Sequence, residues 1–505
     1  MTPHNAASDF FLRAFLAALD EPWADGAIRI EGQGMLASRY PVTDLACASI
    51  GAASMLLARW VDPARPPLVR LDRPLASWWF GASLQPLGWD VPKVRDAVTG
   101  DYAAQDGWIR IHANAAHHRQ RALQVLDLPP DAARAAVESR VRAWAAEALE
   151  TALVDQAACA AALRAPAQWR RHPQGLAVAA EPLLHRRDGL SCAGMPWAAG
   201  LGAAGGDAGT WASSESGLPG LLEDASGRPV DPARPLAGLR VLDLTRVLAG
   251  PAATRFLAAC GAQVLRLDPA DWQEPGMVPE VTVGKRCAWL DLRDPAGRAR
   301  FERLLARADV LVHGYRPDAL DRLDLGADVR QRIRPGLVDV CLDAWGWTGP
   351  WRMRRGFDSL VQMSTGIAWS GGPDRAPDPL PVQALDQATG YWMAACVLKG
   401  LIQRRERLRG SIWRVSLART AALLASGAEA ADDAQAAASD GSAGAESQTP
   451  EPAVGQAPQE AYEAAIEATA WGPAHRLRAP CRVGAADWSW DRPAGDLLSS
   501  PPVWE

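Results

Sequence analysis

The sequence predicts an α/β protein built around a doubly wound parallel sheet, and three observations carry that prediction. LRVLDL at 239–244 and AQVLRLD at 262–268 are short apolar runs of strand length, and ATRFLAAC between them reads as a helix. That helix opens on Gly250-Pro251 and closes on Gly261, with proline at the start and glycine after the end as helices prefer. A strand, a helix and a strand within about 30 residues form a βαβ unit, which pairs its strands in parallel.

The pattern continues to residue 425. DPAGRARFERLLARA at 294–308 is a helix with Asp294 as N-cap and Pro295 in its first turn. DVLVHGY at 309–315 is the next strand, helical turns occupy 317–335, and LVDVCLDA at 337–344 is a strand again. A long helix starts near Asp386 in DQATGYWMAACVLKGLIQRR, and GSIWRVSLA at 410–418 is the last strand. This succession is that of a doubly wound domain.

A chain of 505 residues has room for two or three domains. With 48% hydrophobic and 22% charged residues it can bury a sizeable core. Composition divides it into a mostly helical region at 1–185, a Gly/Ser/Ala/Pro-rich linker at 186–235, the α/β core at 236–425, a low-complexity linker at 426–460 and a C-terminal segment at 461–505. In the first region, helices are expected at 42–60 and 131–164, with a strand in GWIRIHA at 107–113.

Several function classes fall away. The net charge of -5 comes with both signs mixed, which argues against a nucleic-acid partner or a membrane-binding tail. The cysteines (Cys47, Cys159, Cys192, Cys260, Cys287, Cys341, Cys396 and Cys481) form no CxxC and no zinc-spaced cluster. Buried free thiols and no metal are expected. FFLRAFLAAL at 10–19 is interrupted by Arg13 and reads as an amphipathic helix rather than a signal peptide. No run reaches the roughly 18 uncharged apolar residues of a membrane span; a cytoplasmic protein is expected. Gly200, Gly202 and Gly205 spell GxGxxG without the flanking strand and helix that a dinucleotide site needs. His117-His118 reads as a surface pair rather than a metal site.

Asp386 follows an apolar run and opens a helix, a place where the dipole and free N–H groups favour the carboxylate anion. A helix cap and a catalytic carboxylate are both compatible with that position; Asp358 in RRGFDSLVQ carries the same two readings. Arg246, Arg316, Arg322 and Arg355 recur near the ends of the core strands. In such sheets ligands bind there, so these residues are either anion-binding groups for a nucleotide-like coenzyme or ordinary surface arginines.

GLRVLDLTRVLAGPAATRFLAACGAQVLRLD, GKRCAWLDL, ADVLVHGYRPDALDRLDLG, GWTGPWRMRRGFDSLVQMSTGIA and ALDQATGYWMAACVLKGLIQRR resemble, in order, five blocks of the family III (CaiB/BaiF) CoA-transferases. The resemblance implies a Rossmann-like large domain with a smaller α/β domain and transfer of CoA from an acyl-CoA donor to a small carboxylic acid. It implies a covalent intermediate on Asp386 and a cytoplasmic homodimer whose chains interlace. It also implies coenzyme contacts from Arg246, Val247, Leu248, Ala249, Leu290, Tyr315, Arg316, Arg322 and Arg355. Leu248 stands where well-known members carry a polar amide, and Pro269 where some carry a basic residue. DGWIRIHANAAHHRQRALQVLDL resembles the small domain but precedes the core, which implies a permuted or fused member. Phe357 replaces the histidine of the Gly-His-Asp triplet of the α-methylacyl-CoA racemases on the same fold, so that reading lacks a base. A non-catalytic CoA-binding paralogue is the other alternative. Trp369, Trp392 and Met393 are expected near the acyl group.

Overall fold

A computed structural model describes residues 3–92, 96–198, 231–440 and 452–504. Its centre is a seven-stranded sheet whose strands, numbered in chain order, are β1 (His185–Ser191), β2 (Arg240–Leu244), β3 (Gln263–Asp268), β4 (Lys285–Trp289), β5 (Val310–His313), β6 (Val338–Asp343) and β7 (Arg409–Ser416). Their order across the sheet is β4-β3-β2-β5-β6-β7-β1. All neighbours are parallel except β7 and β1. The chain winds from β2 outward to β4 and then returns to the other side of β2 at β5. That reversal opens a crevice at the carboxyl ends of β2 and β5, where doubly wound sheets bind ligands.

The five expected core strands are present because their apolar runs are covered on both faces. The last four residues of β2 and all of β5 are buried, as parallel strands under helices on both sides must be. β4, which the run pattern left unassigned, is the edge strand, and the backbone of the C-terminal segment covers it through Ser500 N–H donating to Cys287 at 2.8 Å.

Helix Ala384–Arg407 is the spine of the domain and is buried through its first 21 positions, from Ala384 to Arg404. It packs on helix Ala249–Ala259 and on Val42–Val61. Gly390 allows the first of these contacts: a Cβ there would lie 2.4 Å from the Ala249 carbonyl oxygen. Val42–Val61 is, among the described residues, the one helix long and apolar enough to cross a membrane. Here that apolarity serves the protein core, where nearly all of its residues are buried.

Composition misplaced several boundaries. The linker expected from 186 begins later, because His185–Ser191 is an antiparallel edge strand on β7; residues 199–230, with the GxGxxG glycines, lie outside the described residues. The linker expected from 426 starts inside a helix, Leu417–Asp440, since Ala and Glu are good helix formers even in a low-complexity stretch. Residues 441–451 lie outside the described residues. The first part of the N-terminal region is not a separate body. Strands Ile28–Glu31 and Val69–Asp72 join Cys481–Val483 in one small sheet, and helix Pro3–Ala18 packs on Val42–Val61.

The smaller α/β domain has its own core, including Tyr102, Ile109, Leu123, Val137 and Leu149. Three strands, Gly100–Ala103, Trp108–Ile111 and Ala160–Ala162, back helices Ala116–Val125, Arg134–Val141 and Ala146–Asp155. The single helix expected at 131–164 is therefore two helices and a strand. The alanines of Ala160–Ala162 pair with Trp108–Ile111, so tertiary pairing overrides their helix propensity. All eight cysteines are buried, as expected.

Candidate active site

A cavity of about 440 Å³ occupies the crevice at the carboxyl ends of β2 and β5. The turn after β2 supplies Arg246, Val247, Leu248 and Ala249; the turn after β5 supplies Tyr315 and Arg316; Arg355 and Asp386 close the far side. Eight of the ten residues assigned from sequence are thus brought together. Leu290 instead packs against the core beneath the sheet. Arg322 is exposed and paired with Asp318. Neither lines the cavity.

Asp386 is the third residue of its helix, whose N-cap is Gln383. It is only 8% exposed, and its carboxyl accepts no hydrogen bond from the described residues. Its backbone N–H donates to Oδ2 of Asp358 at 2.9 Å. Gln362 Nε2 donates to the other Asp358 oxygen, while its own Oε1 accepts from Leu380 N at 2.8 Å. Burial, and then the neighbouring Asp358, push the Asp386 carboxyl well above the ordinary carboxylate range. Burial likewise raises Asp358 to about 6, against the hydrogen bonds it accepts from Asp386 and Gln362. The helix terminus was expected to favour the Asp386 anion; desolvation outweighs the dipole, because the charged form loses its water and gains no donor in return.

The arginines divide into two kinds. Arg354 is committed to structure: it donates to Glu150 at 2.8 Å and to the Ala160 carbonyl at 2.5 Å. Arg316 and Arg355 have only backbone partners, Met353 O at 3.3 Å and Ala157 O at 3.4 Å. Among the described residues neither forms an ion pair. Burial and the nearby Arg316 push the Arg355 guanidinium down, the signature of a cationic site awaiting an anion. Arg246 lies over Trp272 at 4.5 Å and reaches the Tyr315 hydroxyl at 3.4 Å. Arg246 Nε also pairs with Asp268 at 3.4 Å, while buried Trp272 Nε1 and His118 Nδ1 have no hydrogen-bond partner among the described residues. Unpartnered buried donors are costly, so their convergence on one cavity fits a ligand rich in phosphate and amide oxygens. Val247 holds a left-handed backbone, φ 67°, unusual for a β-branched residue. Its N–H donates to Glu274 at 2.8 Å.

Sequence reasoning missed the contribution of the smaller domain. His117 and His118 both line the cavity; His117 is exposed, as a surface residue would be, whereas His118 is buried at 5% exposure. His112 stacks on Phe357 at 3.8 Å and His118 meets the same ring edge-on at 6.1 Å. His118 Nε2 lies 3.6 Å from the Cys159 thiol. Burial, His117 and Arg355 hold His118 down to about 3, so it is neutral. Asp343, at the end of β6, also lines the cavity and was unassigned from sequence. Trp392 and Met393 are not there: Trp392 stacks on Phe15 at 4.7 Å, Met393 is fully buried, and Trp369 does not line the cavity either.

Residues 236–484 match the model of CoA-transferase family III. The acetyl-coenzyme A transferase of Hypoxylon pulicicidum is 36% identical over 203 residues, which are 38% of this chain and 34% of that protein. The succinyl-CoA:glutarate CoA-transferase of Mus musculus is 33% identical over 202 residues, 37% of this chain and 46% of that one. The succinyl-CoA–D-citramalate CoA-transferase of Chloroflexus aurantiacus is 32% identical over 195 residues, 36% and 48%. The chain thus spans a third to a half of the length of these relatives. A crystal structure of a CaiB/BaiF family protein from Brucella suis is 26% identical, covering 48% of this chain and 65% of that one at a TM-score of 0.36. Over residues 236–484 the chain is similar to CoA-transferase family III.

Proposed function

We propose that the protein transfers CoA from an acyl-CoA donor to a carboxylic acid through covalent intermediates on Asp386. The observation that carries this reading is the carboxyl of Asp386, which borders the cavity without a hydrogen bond from the described residues. The reaction divides a difficult exchange into easier steps. The Asp386 carboxylate attacks the thioester carbonyl, the C–S bond breaks, and a mixed anhydride forms with release of CoA thiolate. The thiolate attacks the aspartyl carbonyl, freeing the donor acid and leaving an aspartyl thioester. The acceptor carboxylate then displaces the thiolate to give a second anhydride. Attack of the thiolate on the acceptor's carbonyl carbon yields the new acyl-CoA and regenerates Asp386.

The surroundings suit this chemistry. A buried carboxylate without donors is a stronger nucleophile than a solvated one, and exclusion of water protects the anhydride. Arg316 and Arg355 offer forked donors to the coenzyme's phosphates. The names of the relatives support CoA transfer as the reaction class. Incubation with a panel of acyl-CoA donors, followed by hydroxylamine and intact-mass measurement, tests the proposal. Wild type gains mass as a hydroxamate with at least one donor, and Asp386→Ala does not; modification of both, or of neither, overturns it.

One observation favours a second reading. Phe357 removes the racemase triplet's base, yet His112 and His118 pack against that ring, and His118 borders the cavity with Asp386. Proton exchange at an α-carbon would then use His118. An imidazole held down to about 3 is a feeble base, which ranks this reading second. Deuterium wash-in from heavy water without CoA transfer would establish it.

A further inference from the structure

Asp343 ends β6 on the cavity wall and is 5% exposed. One of its oxygens is fully used: Oδ1 accepts the backbone N–H of Trp345 at 2.7 Å and of Gly346 at 3.0 Å. These bonds turn the chain out of the strand. Oδ2 has no hydrogen bond with the described residues. Among the described residues no cation is paired with Asp343, and the charged groups acting on it are Glu181, which disfavours its ionisation, and Arg316, which favours it. Glu181 is itself fixed by Trp347 N, Thr348 N and Thr348 Oγ1. Arg355, His118 and Asp386 line the same cavity.

One packed segment links the wall around Asp343 to Asp386. Gly356 packs tightly over Asp343's neighbours: a Cβ on it would lie 2.5 Å from Ala344 Cβ and 2.6 Å from Trp345 Nε1. Phe357 follows, and then Asp358, which holds the Asp386 backbone. A group bonded to Asp386 therefore has the wall around Asp343 within its surroundings.

We propose that Asp343 is a specificity residue whose carboxyl, with Oδ1 engaged by the turn and Oδ2 on the cavity wall, hydrogen-bonds through Oδ2 to an oxygen on the acyl chain, a hydroxyl, carbonyl or second carboxylate. The assignment rests on the transferase reading for its substrate, not for its geometry. A buried carboxyl kept protonated at neutral pH is a donor rather than an acceptor. Burial, against the two backbone N–H groups, raises Asp343 to about 8, so the proton is present at pH 7. An unsubstituted alkyl chain would leave that buried donor unpaired, which costs affinity.

Calorimetric titration of the CoA-saturated protein with glutarate, 5-hydroxypentanoate and pentanoate, acids of equal chain length, tests this without turnover. Wild type at pH 7 binds the two oxygen-bearing acids roughly tenfold or more tightly than pentanoate, the worth of one strong hydrogen bond. Asp343→Asn keeps the turn acceptor and a donor, so it retains the preference. Asp343→Ser is too short to reach and loses it. Above pH 8 the wild-type preference falls as Asp343 ionises, while that of Asp343→Asn stays flat, an arm that holds even if the serine variant fails to fold. Equal binding of the three acids by wild type, or an identical pH profile in wild type and Asp343→Asn, overturns the proposal. Hydroxylamine trapping is run in parallel. A binding preference without trapping on Asp386 removes the transferase reading and leaves the role of Asp343 standing; trapping without preference does the reverse.

Discussion

The backbone N–H of Asp386 donates to Oδ2 of Asp358 at 2.9 Å, so the side chain that aligns the Asp386 backbone is also a buried acid beside it. The two carboxyls disfavour each other's charge. Asp386 must lose its proton to attack, so its titration sets the acid limit of activity. The acid limb of kcat/KM lies above the ordinary carboxylate range and rises with pH. In Asp358→Asn the amide oxygen still accepts the Asp386 N–H, but the charge is gone. The limb moves to lower pH, and activity at pH 5 rises relative to the plateau. A pH–rate profile of both proteins checks this; an unmoved limb means that Asp358 does not act on the proton of Asp386.

The same pair has a stability signature. Both folded carboxyls are raised above their unfolded values near 4. Their contribution is fully present below about pH 4, and it declines as pH rises through the folded values, because the unfolded chain gives up its protons first. Replacing Asp386 by Asn removes one of the two groups and flattens the decline. Urea midpoints between pH 4 and 8 measure it, and parallel curves for wild type and Asp386→Asn would contradict the raised titration.

Arg355 and Arg316 face the cavity without carboxylate partners, whereas Arg354 is tied to Glu150. Arg355→Ala therefore costs coenzyme binding and little stability. The KM for acyl-CoA rises roughly tenfold or more, in keeping with a charge-assisted bond of about 1.5–3 kcal/mol. The melting temperature stays within a few degrees of wild type. Lysine restores only part of the affinity, since it lacks the forked geometry. A tenfold loss of kcat at unchanged KM would instead place Arg355 at the reacting atoms.

How much of this could be read from the chain depends on how local the signal is. β2, β5 and β6 were legible because strands covered on both faces become unbroken apolar runs, and the turns that follow them carried Arg246 and Arg316 to the crevice. Asp386 was legible because a helix opens around it. Its charge state was not, since burial depends on what packs over it. His118 and Asp343 gave no local sign. His118 reaches the cavity only because the smaller domain folds over the turn carrying Phe357, more than 200 residues further on, and Asp343 reads as one more residue of the strand LVDVCLDA. The linkers were judged by composition, which registers flexibility of sequence and not the partner that His185–Ser191 finds in β7.

Val247 stores strain on the cavity wall. Its φ of 67° costs a β-branched residue of order 1–3 kcal/mol. The turn tolerates that cost because the Val247 N–H is held by Glu274, which is itself paired with Arg266. Val247→Gly relieves the strain, and after the added freedom of the unfolded chain the folded state gains about 1 kcal/mol. The turn also becomes less rigid, so the KM for acyl-CoA rises while the denaturation midpoint increases. A lowered midpoint would show that the valine side chain contributes more packing than its backbone costs.

Glu150 joins the two domains. It sits on the helix Ala146–Asp155 of the smaller domain and binds Arg164 at 2.5 Å and Arg354 at 2.8 Å, with all three side chains under 10% exposed. Burial alone would raise its carboxyl, but Arg354 and Arg164 more than reverse this and hold it below the usual value. Its stabilisation is therefore present above the unfolded value and is lost as pH falls through the folded one. Glu150→Ala leaves the buried guanidinium of Arg354 without a carboxylate among the described residues and Arg164 with Glu147 alone, and loss of one partner of a buried ion pair costs about 3–5 kcal/mol. Arg354 precedes Arg355 in the chain, so release of the first displaces the second. The variant loses acyl-CoA affinity as well as stability, and at pH 3 the difference in stability from wild type is smaller than at pH 7. Denaturation curves at the two pH values, with coenzyme titrations below the transition, measure both effects. Stability lost without any change in affinity would mean that Arg354 does not position Arg355.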